Sequence, residues 1–400
     1  MLLKIKHLVK NSKLLYKLYY HGGSAMLRAI GLFIKTDPNL VLFASYGGRK
    51  YDDSPRVVYE YLLKHPICPD HKYIWAFANP EDFPEVKNKV QIDTPAYYLT
   101  ALRAGYWITN TSIARGMDFR KKDTKSYYFA HALTAMKRIG VDVLDDKNVF
   151  VSEAREKFDA VFIEGKHEIP ILSKVWDLEA SVFYTTGLPR NDDLVGTTEQ
   201  EKNYLRQKLG IPEGKQVILY APTFRDNVKN AEGRLVQEIP MNLEKWQHVL
   251  GEKYMLLINV HYAVARLFEN LPENGFAVNV SGYPRLNDLL KVADILISDY
   301  SSIVFDYSIL ERPILGYCYD YDEYMAMRGS YLDIQNFYYC GAIRNEEALL
   351  DAIVNLDYEA SCCFTREKIR DRHLASYGNA AEKAVKVIFG VQSKRCQERK

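Results

Sequence analysis

Two histidines close apolar runs at separate points of this 400-residue chain, His131 directly after Tyr127–Ala130 and His261 directly after Met255–Val260. The carboxyl end of a strand is where an open α/β sheet meets its ligands. A histidine there, with an ordinary pKa of about 6.5, can take a proton from an attacking hydroxyl at neutral pH. A lone histidine in that place is more often structural, but two of them ending strands of successive domains can face one cleft. Groups suited to phosphate stand nearby in the sequence. Pro222-Thr223-Phe224-Arg225 follows the apolar run Val217–Tyr220, and Arg190 lies in Gly187-Leu188-Pro189-Arg190-Asn191-Asp192. The planar fork of arginine matches phosphate oxygens, although a carboxylate such as Asp192 or Asp226 can equally claim either guanidinium. The third group is Ser298-Asp299-Tyr300-Ser301-Ser302, which leads into a helical pattern. Free N–H groups and two hydroxyls at the positive end of a helix form an anion site, while the bland alternative is simple capping. Together these residues suit phosphoryl or glycosyl transfer from a nucleotide diphosphate donor. The chain holds no Walker A, HExxH or GxSxG motif and no metal-spaced cysteines, so no metal site is expected.

The elements that must position these groups follow from the pattern around them. Ile295–Ile297 reads as a buried parallel strand, Ile303, Val304, Tyr307 and Leu310 recur at helical spacing, and Glu311-Arg312-Pro313 stops the helix before a second apolar run, Ile314–Gly316. This is a β-turn-α-β unit. Upstream, strands are expected at Leu40–Ser45, Tyr73–Phe77, Tyr106–Thr109, Tyr127–Ala130, Ala160–Ile163 and Val182–Thr185. Helices are expected around Pro55–Lys64, Pro95–Arg103 and Ile169–Trp176. A second series begins after a charged helix over Thr197–Leu209, with strands at Val217–Tyr220, Tyr254–Val260 and Phe276–Val280. Such alternation means parallel sheets covered on both faces, and the length calls for two of them. Gly47-Gly48-Arg49, after the first strand, permits close backbone approach to a ligand but lacks a full GxGxxG pattern. The helix Ala380–Ile388 is expected to return to the first domain, and Val391–Lys400 to fray.

With a formal net charge of +2, no whole-molecule attraction to nucleic acid is indicated. Positive charge is instead local. Met1–Lys35 carries seven Lys and Arg residues and no Asp or Glu, with Leu2, Leu3, Ile5, Leu8, Val9, Leu14, Leu15 and Leu18 at roughly helical spacing. This predicts a basic amphipathic helix lying on an anionic membrane surface; the alternative is a helix packed on the protein's own body. No run reaches the roughly 18 to 20 apolar residues of a membrane span. The six cysteines show no CxxC pair and fit a reducing cytosol.

The succession of Gly187–Asp192, Tyr220–Asp226, His261 and Ser298–Ser302 with Asp306 resembles the CDP-glycerol glycerophosphotransferases of teichoic acid synthesis, over about Tyr106 to Gly378. The resemblance implies two Rossmann-like domains in the GT-B arrangement. With the pattern read above, the expected division is 1–36 for the membrane-surface helix, 37–195 for an acceptor domain, 196–375 for a CDP-donor domain, and 376–400 for the returning helix and tail. The resemblance makes His131 the general base, with Thr134 in the loop after it, and Arg190, Pro222, Thr223, Asn259, Val260, His261, Ser301, Ser302 and Asp306 the donor-site residues. The implied partners are a CDP-glycerol or other CDP-polyol donor, a lipid-linked saccharide or polymer acceptor, and the cytoplasmic side of the cell membrane, with no cofactor. The alternatives are a GT-B glycosyltransferase using a nucleotide sugar, or a non-catalytic nucleotide- or membrane-binding module. One departure is local: His131-Ala132-Leu133-Thr134-Ala135-Met136-Lys137 lacks the glycine and proline that the family usually places after its histidine. The added Cβ changes how closely backbone N–H groups approach a phosphate, which leaves the acceptor and the polyol open.

Overall fold

The computed structural model describes residues 12–67, 69–130, 136–143, 156–225, 240–260 and 275–390; His131, Thr134, His261 and the tail beyond Gly390 lie outside them. Seven strands form the first sheet: β1 Asp37–Ala44, β2 Lys72–Phe77, β3 Lys89–Gln91, β4 Ala104–Thr109, β5 Lys125–Phe129, β6 Ala160–Phe162 and β7 Phe183–Tyr184. They lie in the order β3-β2-β1-β4-β5-β6-β7, every pairing parallel. Leu40 to Ala44 are all buried, because helices cover both faces of the sheet. Side chains alternate across it: Val41 and Phe43 pack with Val58 and Leu62 of the helix Asp53–Lys64, whereas Leu40 and Leu42 pack with Leu27, Ala101 and Leu102.

The second sheet comprises β8 Gln216–Tyr220, β9 Tyr254–Ile258, β10 Ala277–Asn279, β11 Ile295–Ser298, β12 Ile314–Tyr317 and β13 Ala342–Ile343. Its order is β10-β9-β8-β11-β12-β13, again all parallel. The β-turn-α-β unit is β11, the helix Ile303–Ser308 and β12, with Leu296 registered on Ile314. Val217 and Leu219 face Leu289, Val304 and Tyr307; Ile218 and Tyr220 face Trp246, Leu349 and Ile353. The result is an α/β fold with two parallel sheets.

The helix Ala380–Phe389 packs Ala384, Val385, Ile388 and Phe389 against Val41, Phe43 and Phe129 of the first sheet. Burying each of the larger three side chains is worth about 1.5–3 kcal/mol before entropy. Its start is capped from outside: the backbone N–H groups of Ala380 and Ala381 donate to Asp192 Oδ1 and Oδ2, both at 2.8 Å. Asp192 therefore serves a helix end rather than either arginine.

At the other terminus a helix covers Lys13–Gly31, with Ser12 accepting from the Leu15 N–H at 3.4 Å. One face is seated on the first domain through buried Leu27 and Ser24, the latter's hydroxyl accepting from Asp118 N–H at 2.8 Å. Away from that seat, Leu18 and Met26 are 62% and 58% exposed, and Leu32 and Phe33, just past the helix, 84% and 90%. Among the described residues no helix is long and apolar enough to cross a membrane.

Candidate active site

In the second sheet β8 and β11 are neighbours, yet the chain leaves β8 toward β9 and β11 toward β12, on opposite sides. The loops after them part, and a crevice opens at the carboxyl ends of the strands. Its rim is Ala221–Thr223 on one side and Asp299–Ser302 on the other. Asp299 ties the two together: Oδ1 accepts from the N–H of Thr223 at 2.8 Å and of Tyr300 at 2.6 Å. Of the anticipated capping residues, Asp299 is thus a buried tie between loops, and Ser302 occupies the N-cap position without a side-chain cap bond. Ser301 Oγ accepts weakly from the Ile303 N–H at 3.4 Å.

Arg225, one of the two candidate phosphate arginines, is turned inward. Its guanidinium donates to Asp299 Oδ2 at 2.8 Å, to Asp320 Oδ2 at 2.7 Å and to the Thr223 carbonyl at 2.6 Å, with the side chain only 4% exposed. The rings of Tyr300, Tyr319 and Tyr324 surround it at 5.2 to 5.5 Å. The guanidinium braces the Thr223 loop.

Arg190 sits between the two sheets. Nη2 donates to Asp306 Oδ1 and Oδ2 at 3.0 and 3.3 Å, Nη1 donates to the Ala130 carbonyl at 3.3 Å, and Asp53 Oδ2 lies 3.6 Å from Nη1. Burial alone would push the guanidinium's pKa down, but Asp306, Asp53 and Glu164 outweigh it and hold the pKa well above its usual value. Asn191 extends the link, its Nδ2 donating to Asp306 Oδ1 at 2.5 Å and Glu164 Oε1 at 2.8 Å. Burial, and then the neighbouring Asp306 carboxylate, push Glu164 well above the ordinary carboxylate range.

One cleft of about 560 Å³ gathers these groups. Arg190, Pro222, Thr223, Asn259, Val260, Ser301, Ser302 and Asp306, the eight expected site residues that are described, all line it. Asn259 and Val260 directly follow β9 beside the crevice, the Asn259 N–H donating to the Tyr220 carbonyl and the Val260 N–H to Ser281 Oγ, both at 2.9 Å.

The opposite wall comes from the first sheet and includes Tyr46, Lys50, Asp53, Arg56 and Lys137. Here β1 and β4 form that sheet's own switch point, and the turn after β1 is contorted: φ is +47° at Tyr46, +63° at Gly47 and +80° at Gly48. A Cβ on Gly48 would stand 2.3 Å from Ile92 Cδ1 and 2.7 Å from the Ala78 nitrogen, so only glycine fits. Asp53 is also left-handed at φ +64°. A side-chain-bearing residue held so costs of order 1–3 kcal/mol and persists only where its surroundings impose it. The Gly-Gly pair was the only signal in the sequence for this wall.

The description "CDP-Glycerol:Poly(glycerophosphate) glycerophosphotransferase" belongs to a family whose model matches residues 26–390. This chain is a member of that family. It is 30% identical over 311 residues to the teichoic acid poly(glycerol phosphate) polymerase of Staphylococcus epidermidis, covering 74% of this chain and 42% of that protein. It is 29% identical over 371 residues to the teichoic acid glycerol-phosphate transferase of Staphylococcus aureus, covering 88% and 93% of the two chains. Among solved structures it superposes on the wall teichoic acid polymerase TagF, in a histidine-to-asparagine variant, with a TM-score of 0.81, 26% identity, and 93% and 94% coverage. A further structure of that TagF variant was soaked with CDPG.

Proposed function

We propose that this family member transfers glycerol phosphate from CDP-glycerol to a hydroxyl of a lipid-linked or polymeric acceptor, releasing CMP, in the synthesis of a teichoic acid or similar polymer. The observation that carries the reading is the convergence of eight residues, singled out along 117 positions from Arg190 to Asp306, on one interdomain cleft. The donor lies against the second sheet. Its diphosphate meets the amino end of the Ile303–Ser308 helix, where Ser301 and Ser302 offer hydroxyls and the helix dipole favours negative charge. Pro222, Thr223, Asn259, Val260 and His261 bound the nucleotide, and Arg190, paired with Asp306, forms the floor. The acceptor enters along the wall of Tyr46 and Lys50.

The acceptor oxygen forms a bond to the phosphorus that bears glycerol, and the bond from that phosphorus to the CMP oxygen breaks. His131 takes the proton of the attacking hydroxyl, with Thr134, three positions on in the sequence, as its neighbour in the assigned site. No covalent protein intermediate is needed, because positioning and charge stabilisation supply the catalysis. The exposed apolar side chains of Leu18, Met26, Leu32 and Phe33, with Lys17 and Lys35 near them, suit an anionic membrane surface on the cytoplasmic side, where a lipid-linked acceptor resides. Replacing His131 with alanine is expected to abolish CMP release while leaving donor binding intact; undiminished release would remove histidine as the base. A panel of CDP-glycerol, CDP-ribitol and UDP-sugars read by thermal shift identifies the donor, since a ligand at 100 times its Kd stabilises by about 2.7 kcal/mol. A response confined to UDP-sugars would favour glycosyl transfer.

A further inference from the structure

Arg190 joins three segments that the two sheets bring to the floor of the cleft. One arm of its fork is given to Asp306, on the helix after β11, at 3.0 and 3.3 Å. The other donates to the carbonyl of Ala130 at 3.3 Å, and Ala130 is the residue that leads into His131. Beside that second arm, 3.6 Å away, stands Asp53 Oδ2, from the segment after β1.

Asp53 is built into place. Its side chain is 1% exposed, its Oδ2 accepts from the Tyr46 hydroxyl at 2.6 Å, and its Oδ1 accepts from the Ser54 N–H at 2.5 Å. Tyr46 and Asp53 both hold left-handed backbone, at φ +47° and +64°, which a Cβ disfavours. Two such residues within one short segment, joined to each other side chain to side chain, deliver one outcome: a desolvated carboxylate beside the second arm of an arginine whose first arm is paired by Asp306. Asp306 alone would balance the charge. The second carboxylate determines how the fork is rotated, and so which arm reaches the Ala130 carbonyl.

We infer that Asp53, oriented by Tyr46, is a positioning residue for transfer: it holds the Arg190 guanidinium so that the strand end leading into His131 keeps a set distance from the donor-side helix of Asp306. The inference rests on the transfer reading above. Neither Asp53 nor Tyr46 touches the reacting atoms in this scheme. Their effect is geometric, and a displacement of about 1 Å between a base and its reacting group can cost about 100-fold in rate.

Asp53→Asn keeps the volume and one of the two oxygen acceptors, an amide nitrogen replacing the other, while removing the charge that faces Nη1; Tyr46→Phe removes only the orienting hydroxyl. With CDP-glycerol and a polymeric acceptor, kcat for CMP release should fall roughly 10- to 100-fold in Asp53→Asn and by a smaller factor in Tyr46→Phe, with the donor KM within about threefold of wild type in both. Unchanged kcat in both variants would overturn the inference. So would a raised donor KM at undiminished kcat, which would make Asp53 a donor ligand. If Asp53→Asn loses only as much activity as it loses folded protein by circular dichroism, while Tyr46→Phe turns over like wild type, the inference also fails. Wild-type protein that releases no CMP from CDP-glycerol would overturn the transfer reading together with this one, whereas wild-type turnover beside unaffected variants overturns this one alone.

Discussion

Replacing Arg225 with methionine separates a brace from a phosphate ligand. The guanidinium is 4% exposed and is shared between Asp299, itself 1% exposed, and Asp320, 16% exposed. Removing it strands the Asp299 carboxylate in a site with almost no water. Breaking a buried pair from one side costs about 3–5 kcal/mol. Asp299 keeps two backbone donors, Thr223 N–H and Tyr300 N–H, at 2.8 and 2.6 Å, which places the loss near the lower end. For a domain of roughly 200 residues each kcal/mol lowers Tm by about 2–4 °C, so a loss of about 3 kcal/mol should appear as roughly 6–12 °C. The assay is thermal and denaturant unfolding of wild type, Arg225→Met, Asp299→Asn and the double variant. The double variant should be less destabilised than the two singles summed, because no charge is left unpaired. Arg225→Lys should fall between, keeping charge but not the fork. An Arg225→Met protein melting within about 2 °C of wild type, yet binding CDP-glycerol more than tenfold more weakly, would place the guanidinium on the ligand and refute the reasoning.

Other expectations follow from single contacts. A Cβ at Gly316 would stand 2.0 Å from the Tyr338 ring, whose hydroxyl donates to the Asp299 carbonyl, so Gly316→Ala should destabilise by about 1–3 kcal/mol, measured by urea unfolding. Burial, aided by His373, lowers the His167 pKa from 6.5 to about 4. The unfolded chain then takes up this proton first on acidification, and stability is lost as pH falls through about 6.5 to about 4; in His167→Gln that part of the acid loss should vanish from Tm measured against pH. Glu164 has the opposite sign: its pKa is raised in the fold, so its contribution is full at low pH and fades as pH rises, and Glu164→Gln should gain on wild type toward alkaline pH. A Tm difference between the two that is flat with pH would contradict the raised pKa of this buried carboxyl.

The strands and the unit around Asp306 were legible because buried parallel strands write continuous apolar runs, and both switch-point loops of the second sheet carry marked residues, Pro222 and Ser301-Ser302. β3 and β13 were not, since Lys89–Gln91 and Ala342–Ile343 are too short to show a period. Arg225 was seen but its partners were not: Asp299 and Asp320 lie 74 and 95 positions away, and nothing local marks the pairing. The first-domain wall escaped for a different reason. A left-handed glycine announces itself by its type, whereas Tyr46 and Asp53 adopt the same backbone without any such mark in their residue types. Of the N-terminal segment, residues 1–11 lie outside the described residues; in the rest, one face is seated through Leu27 and another exposes Leu18 and Met26.

The most direct measurement is mass spectrometry of a glycerol-phosphate-primed lipid-linked saccharide after incubation with this protein and CDP-glycerol, with CMP quantified in parallel. The account predicts products heavier by whole glycerol phosphate units, one CMP for each unit added, and neither in His131→Ala. Acceptor left unmodified by CDP-glycerol and every other CDP-polyol, but extended from a UDP-sugar, would contradict it.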